Sequence, residues 1–442
     1  MRKKEFDRDE LQDSLPLGKK TLAIIIYIML SLTSITVFFS LFLSSYKSFS
    51  LLQNISFLSQ DGWCLRERPR IGVHCFGDFG YPIYQILQSR DVWSIEPPSN
   101  YTPLVTIIFG EFSKIVGSLG WNVAFTLYFL MIAVPIWSVI LIALRHLEPL
   151  TRLVISCLLA FLSPAVLITL DRGNSVGLIV FPLFMFFNSL QTNSKWSTAG
   201  WGVLAISIRP QCALILILLF ISKKYRDLFK VLAGTSAAYT VAFLLWDYSK
   251  LTESIIGFLR SLVGYANLNI GTIWPYNYSF SNAFGICNKV LSLGISNSII
   301  SLLGVIFGLI MICIVGLAGR RAEFEKSKNL PIIFVWLLPF GYLLPSVSYG
   351  YYTCFALLAL VIIINQQVSI EQLGFGSYLV GIIYVSVLSA TLSLFALPFG
   401  PAYPIGRINL FQSVICGIWF IPYLTLSSHA LKLWKINPKS LG

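Results

Sequence analysis

Residues 21–45, TLAIIIYIMLSLTSITVFFSLFLSS, carry no charged side chain. A helix of that length rises about 38 Å, enough to cross a ~30 Å hydrocarbon core. Long runs almost free of charge recur as far as residue 427. Of the 442 residues, 56% are hydrophobic and 12% charged, where a soluble protein carries about 25% charged. The pattern predicts an all-α, polytopic membrane protein, because helices and closed barrels are the structures that satisfy their own backbone in lipid. The 21–45 run is too long for a cleavable signal peptide and has no small-residue cleavage site behind it, so it reads as a retained first helix.

Beyond it stands a polar loop, residues 61–100, DGWCLRERPRIGVHCFGDFGYPIYQILQSRDVWSIEPPSN. It gathers Asp, Glu, Arg, His and aromatic residues in a chain that is otherwise apolar. Asp78, within GDFGYPIY, is its centre: a carboxylate at the mouth of a membrane bundle can act as a general base. Asp61, Glu67, Glu96 and Asp78 could together supply a divalent metal site, but no spacing demands one. No cofactor is expected. His74 reads as a loop residue.

The formal charge is +13. The larger share of Lys and Arg falls on one side of the predicted topology, at Arg2, Lys3, Lys4, Lys223, Lys224, Arg226, Arg320, Arg321, Lys432 and Lys435. That is the positive-inside bias, and it sets the orientation. No basic stripe with interleaved aromatics stands in a soluble domain, which argues against a nucleic-acid partner. Of eight cysteines, six lie in or near apolar spans and read as small buried hydrophobes. Cys64 and Cys75 lie in the outer loop, which faces an oxidising space, and a disulfide is predicted between them.

The chain reads as one membrane domain, residues 1–442, of about twelve transmembrane helices with both termini inside. Residues 1–20 are an inner tail and 46–121 a first outer loop. Within that loop, 83–93 and 103–118 show the spacing of amphipathic surface helices. Spans follow at 122–144, 152–168 and 175–190. From 197 to 222 the chain is apolar but broken by SIRPQ, and each half has only about a dozen residues, roughly 18 Å of helix. This predicts a short hairpin with Arg209-Pro210-Gln211 at a buried tip, Pro210 ending one helix and starting the next. Spans at 229–246, 293–317, 330–345, 351–365, 374–397 and 408–427 complete the count. Residues 247–291 form a second outer loop and 428–442 an inner tail.

The polar residues at the outer ends of spans are Asp78, Asp171, Arg172, Asn174, Arg209, Asn277, Ser279 and the tyrosines 349, 351 and 352. Charges at membrane depth are costly and usually pair or line a cavity, so a common outer cavity is expected. A buried guanidinium at Arg209 suits a lipid phosphate. Simpler roles stay open. Asp78 could cap a helix, Asp171 and Arg172 could pair locally, Arg209 could snorkel, and the tyrosines could belong to an interfacial belt. Asn54 and Asn277 open N-x-S sequons.

Four strings together carry a family resemblance: GDFGYPIYQIL with PPSNYTPLVTIIFGEF, DRGNSVGLIVFPLFMFF with AGWGVLAISIRPQCALILILL, NYSFSNAF, and PSVSYGYYTCFALL. In that order, over roughly 75–365, they resemble the polyprenyl-phosphate-dependent glycosyltransferases of the GT-C superfamily, closest to glycosyltransferase family 87, the alpha-mannosyltransferase-like group. The last string departs from the family's late motif, with Tyr349, Gly350, Tyr351 and Tyr352 where that motif often reads Trp-Asp-His-His.

The resemblance implies a GT-C-like bundle and an inverting transfer of a sugar, mannose first among candidates, from a polyprenyl-phosphate carrier to a hydroxyl of a glycolipid or glycan. The bilayer and these two substrates are the expected partners. The site would face the outside of the cell (inner) membrane. Asp78 would be the general base. Arg209, Tyr351 and Tyr352 would bind the donor phosphate. Tyr81, Asp171, Arg172, Asn174, Asn277, Ser279 and Tyr349 would contact substrate. The alternative is a polytopic transporter or flippase of a polar or lipidic substrate. It predicts paired charges near the midplane and an internal repeat, and no repeat is evident. An O-antigen polymerase or ligase would place its main outer loop late in the chain, and a non-catalytic scaffold would explain the altered late motif.

Overall fold

A computed structural model describes residues 77–88, 101–247, 250–270, 279–321, 330–344 and 354–366, with the isolated Ser31. Every regular element among them is helical. In chain order these are α1 Gly77–Leu87, α2 Pro103–Leu119, α3 Trp121–Ala143, α4 Pro149–Leu162, α5 Pro164–Arg172, a 3-10 turn Ser175–Ile179, α6 Val180–Gln191 and α7 Lys195–Ile208. A second 3-10 turn, Pro210–Ala213, leads to α8 Leu214–Ile221, α9 Tyr225–Asp247, α10 Leu251–Ile270, α11 Phe280–Val290, α12 Asn297–Arg321, α13 Leu330–Leu337, α14 Phe340–Leu343 and α15 Cys354–Gln366. Three of the described helices are long and apolar enough to cross a membrane: 121–143, 225–246 and 297–316.

Prolines set the breaks. The expected span 152–168 is two helices, because Pro164 offers no N–H and drives Ser163 into the extended region, φ −68° and ψ 138°. The expected span 330–345 likewise divides ahead of Phe340. The segment 247–291, expected as a loop, contains α10 and α11. Glu253 and Arg260 interrupt its apolar pattern, while its helical period survives. The surface helix expected at 83–93 begins earlier, at Gly77, and runs to Leu87. Asp78 therefore sits in the first helical turn, where the positive end of the helix dipole favours a carboxylate.

The hairpin is present. Helix α7 starts beside the end of α6, stops at Arg209, and α8 returns to the side it left. Lys224, just past α8, donates to the Leu190 carbonyl at 2.9 Å and to Asn193 Oδ1 at 2.8 Å. The turns 191–195 and 222–225 thus meet at one end of the bundle. Arg320 and Arg321 end α12 on the same side, since Gly316 packs near Ile217 and Ile221. His146 follows α3; burial pushes its imidazole below the usual value despite a backbone hydrogen bond at Ala143, and Arg145 pushes the same way. That shift favours the neutral imidazole and leaves arginine and lysine to supply the positive charge of this end.

Phe79 holds the opposite end together. It is fully buried, stacked on Tyr128 at 4.1 Å and set edge-on to Phe112 at 5.2 Å and Phe109 at 5.8 Å. Such aromatic pairs add about 0.5–1.5 kcal/mol each beyond burial. They lock α1 against α2 and α3 and fix the position of its neighbour, Asp78.

Candidate functional site

The string Asp171-Arg172-Gly173-Asn174 is a stop and a restart. Arg172 is the last residue of α5, and Gly173 adopts the left-handed conformation, φ 60° and ψ 35°. Its N–H donates to the Leu170 carbonyl and that of Asn174 to the Thr169 carbonyl, both at 3.1 Å. A residue with a Cβ would be strained at that φ. Asn174 then opens the next turn, its Oδ1 accepting the Val176 N–H at 2.9 Å. The two side chains flanking the glycine point to one place.

That place is Asp78. Arg172 Nη2 donates to Asp78 Oδ1 at 2.5 Å, and Asn174 Nδ2 donates to Asp78 Oδ2 at 2.6 Å. Both carboxylate oxygens act as acceptors, as an ionised carboxylate does. The ion pair is mostly buried, with the two side chains 19% and 15% exposed. The reading of Asp78 as a simple cap misses these partners from 94 and 96 residues away.

Arg209 completes the group. It occupies the extended residue between α7 and the 3-10 turn, φ −143° and ψ 118°, with Pro210 next. It is 2% exposed, so it does not snorkel. Its Nη2 donates to Asn174 Oδ1 at 2.8 Å, and its guanidinium lies 5.2 Å from the centre of the Tyr101 ring. Tyr101 in turn donates its hydroxyl to the Asp78 carbonyl at 2.7 Å. Helices α1 and α5, the hairpin tip and the start of α2 thus converge on one polar cluster in an apolar bundle.

Of the residues expected from sequence, Asp78, Arg172, Asn174 and Arg209 come together. Tyr81 stands one turn after Asp78 on α1 and is partly exposed. Ser279 accepts the Asn282 N–H at 3.1 Å and so caps α11. Asn54, Cys64, Cys75, Asn277, Tyr349, Tyr351 and Tyr352 lie outside the described residues, as does the side chain of Asp171. Among the described residues no three His, Cys, Asp or Glu side chains gather as a metal site.

Sequence reasoning passed over Tyr101, Thr102 and Tyr128. Thr102 Oγ1 donates to the Ser207 carbonyl at 2.7 Å and the Ile208 carbonyl at 3.2 Å. Tyr128 is fully buried under Phe79, and its hydroxyl finds no hydrogen-bond partner among the described residues. The one available signal was the string Tyr-Thr-Pro entering an apolar helix.

The family model of glycosyltransferase family 87 matches residues 100–330. The chain belongs to glycosyltransferase family 87. It is therefore a glycosyltransferase, and its apolar helices make it a membrane protein. No curated protein matches it. The match takes in Tyr101, Arg172, Asn174 and Arg209, and Asp78 stands before it.

Proposed function

We propose that this family 87 enzyme moves a sugar, mannose first among candidates, from a polyprenyl-phosphate carrier to a hydroxyl of a glycolipid or glycan. The reaction is a single inverting displacement. The acceptor oxygen attacks the anomeric carbon, the bond from that carbon to the phosphate oxygen breaks, and Asp78 takes the hydroxyl proton. General-base help of this kind contributes roughly 10²–10⁴-fold. Arg209 holds the donor phosphate and stabilises its charge as the glycosyl bond breaks. The same reading assigns Tyr81, Asp171, Asn277, Ser279 and Tyr349 to substrate binding and Tyr351 and Tyr352 to the donor phosphate.

One observation carries the reading. The candidate base and the candidate phosphate ligand belong to one hydrogen-bonded cluster, Asp78–Asn174–Arg209. A displacement needs its base and its leaving-group ligand on one bound substrate pair. Cys354 supports the late motif's part in it, because its thiol meets Thr169 Oγ1 at 3.0 Å, three residues before Arg172. Tyr351 and Tyr352 stand three and two residues before Cys354 in the sequence.

The proposed orientation puts the cluster outside and the basic turns in the cytoplasm of a bacterial-type inner membrane. The twelve-span arrangement with both termini inside belongs to the same reading.

The test uses the protein in nanodiscs, radiolabelled polyprenyl-phosphate mannose and arabinose, and a glycolipid extract. Transfer by the wild type that vanishes in Asp78→Asn, with donor still bound, is the expected result. Equal transfer by both proteins removes Asp78 from the mechanism.

A further inference from the structure

Asn174 has a place in the cluster that a substrate ligand does not need. Two donors, the Val176 N–H at 2.9 Å and Arg209 Nη2 at 2.8 Å, both require an oxygen. They fix which end of the amide is which. The nitrogen is then turned onto Asp78 Oδ2 at 2.6 Å. Both ends are used inside the protein, and the residue is 2% exposed. The left-handed Gly173 beside it and the 3-10 turn after it hold the backbone that aims the amide.

We propose that Asn174 is a positioning residue that couples the two halves of the reaction. It donates to the base and accepts from the phosphate-binding guanidinium, so that neither can shift without the other. The inference rests on the roles proposed for Asp78 and Arg209. It assigns Asn174 to those two side chains rather than to the sugar. Among the described residues, the charged or titratable groups that face this amide and its partners are Asp78 on α1, Arg172 on α5, Arg209 at the hairpin tip, Cys212 in the 3-10 turn after it, Tyr101 ahead of α2, Tyr128 on α3 and Tyr239 on α9.

Asn174→Asp separates this role from a purely local one. Aspartate is as good a cap for the Val176 N–H as asparagine, and it still accepts from Arg209. It cannot donate to Asp78 while ionised. Two carboxylates at that spacing hold a shared proton to a higher pH than either alone. Once protonated, the new side chain donates again. At neutral pH the variant is expected to transfer sugar at least about tenfold more slowly, the scale of a hydrogen bond to a charged group. Acidification should restore it relative to the wild type, with the optimum about one pH unit lower or more.

A second readout needs no sugar transfer. Binding of bare undecaprenyl phosphate to the nanodisc-held proteins should weaken about tenfold in the variant at neutral pH and recover toward wild type as pH falls. A variant that matches wild type in rate, affinity and pH profile makes Asn174 a loop cap and overturns the proposal. So does a uniform loss that acid does not repair. Asp78→Asn, run alongside, reports on the base separately: full transfer by that variant removes the base assignment, whatever Asn174 does.

Discussion

Thr102 Oγ1 and the Ser207 carbonyl are 2.7 Å apart across 105 residues of sequence. The contact follows from Pro210. A proline cannot donate to the carbonyl four residues back, so the last turn of α7 loses its ordinary closure. The N–H of Arg209 still reaches Ala205 at 3.0 Å, but the carbonyls of Ile206, Ser207 and Ile208 need other donors. Thr102 serves two of them, and the Tyr239 hydroxyl serves Ile206 at 3.1 Å. In a membrane bundle such carbonyls have no water to turn to.

Thr102→Val keeps the shape and removes the donor. It should destabilise the protein by about 1–3 kcal/mol, the cost of orphaned buried acceptors, and Thr102→Ser should recover most of the loss. Thermal unfolding in detergent measures both. A valine variant as stable as wild type would show that the strap contributes nothing.

Tyr239→Phe should act on the same tip from α9. The Ile206 carbonyl loses its donor while the ring keeps its edge contact with Phe258. The expected stability loss is about 1–2 kcal/mol, close to additive with Thr102→Val if the two donors serve separate carbonyls. A double variant no worse than either single would contradict that separation.

Tyr101 has two functions that two substitutions divide. Tyr101→Phe removes the donor to the Asp78 carbonyl and keeps the ring under Arg209, so turnover should fall a fewfold with donor KM little changed. Tyr101→Leu removes the ring as well and should also raise donor KM, a cation–π contact being worth about 0.5–2 kcal/mol. Steady-state kinetics with the labelled donor distinguish the two. Identical behaviour of both variants would deny the ring a part.

Gly177 allows the turn after Asn174 to lie against α3. A Cβ there would strike Ile132 and approach Thr169 Cγ2 at 2.9 Å. Gly177→Val should therefore lower folded yield and the melting temperature, overpacking of this kind costing about 1–3 kcal/mol. Size-exclusion profiles and thermal shift report it, and a well-folded valine variant would mean that α3 yields easily.

The orientation is open to labelling. Ser118→Cys on α2 and Thr192→Cys after α6 are exposed and lie near opposite ends of the bundle. A membrane-impermeant maleimide applied to intact cells should label the first above the wild-type background and the second only after lysis. The reverse pattern would invert the proposed topology.

What the sequence made legible was charge out of place. Asp78, Arg172, Asn174 and Arg209 stood out because each is a polar group at the end of an apolar run, and the Arg-Pro break after a short helix announced the hairpin. Tyr101, Thr102 and Tyr128 were silent. Tyrosine and threonine are ordinary in such a chain, and their roles depend on groups distant in sequence: the Asp78 carbonyl and Arg209 for Tyr101, the carbonyls that Pro210 leaves free for Thr102, and the Phe79 ring for Tyr128. Helix α10 was missed for the opposite reason: Glu253, Arg260 and its serines gave it the look of a loop, although they sit on a regular helix.

The hairpin tip also has an order in time. Tyr101, Thr102 and Asn174, which receive Arg209 and the carbonyls beside it, all precede it along the chain. A ribosome delivers them first. An arginine entering a bilayer alone costs about 2.5–3.5 kcal/mol on insertion scales. Here the guanidinium emerges after its receptor has been synthesised, and Tyr239 arrives about 30 residues later to close the last carbonyl. A residue awkward for insertion is thus placed where earlier sequence has already made room for it.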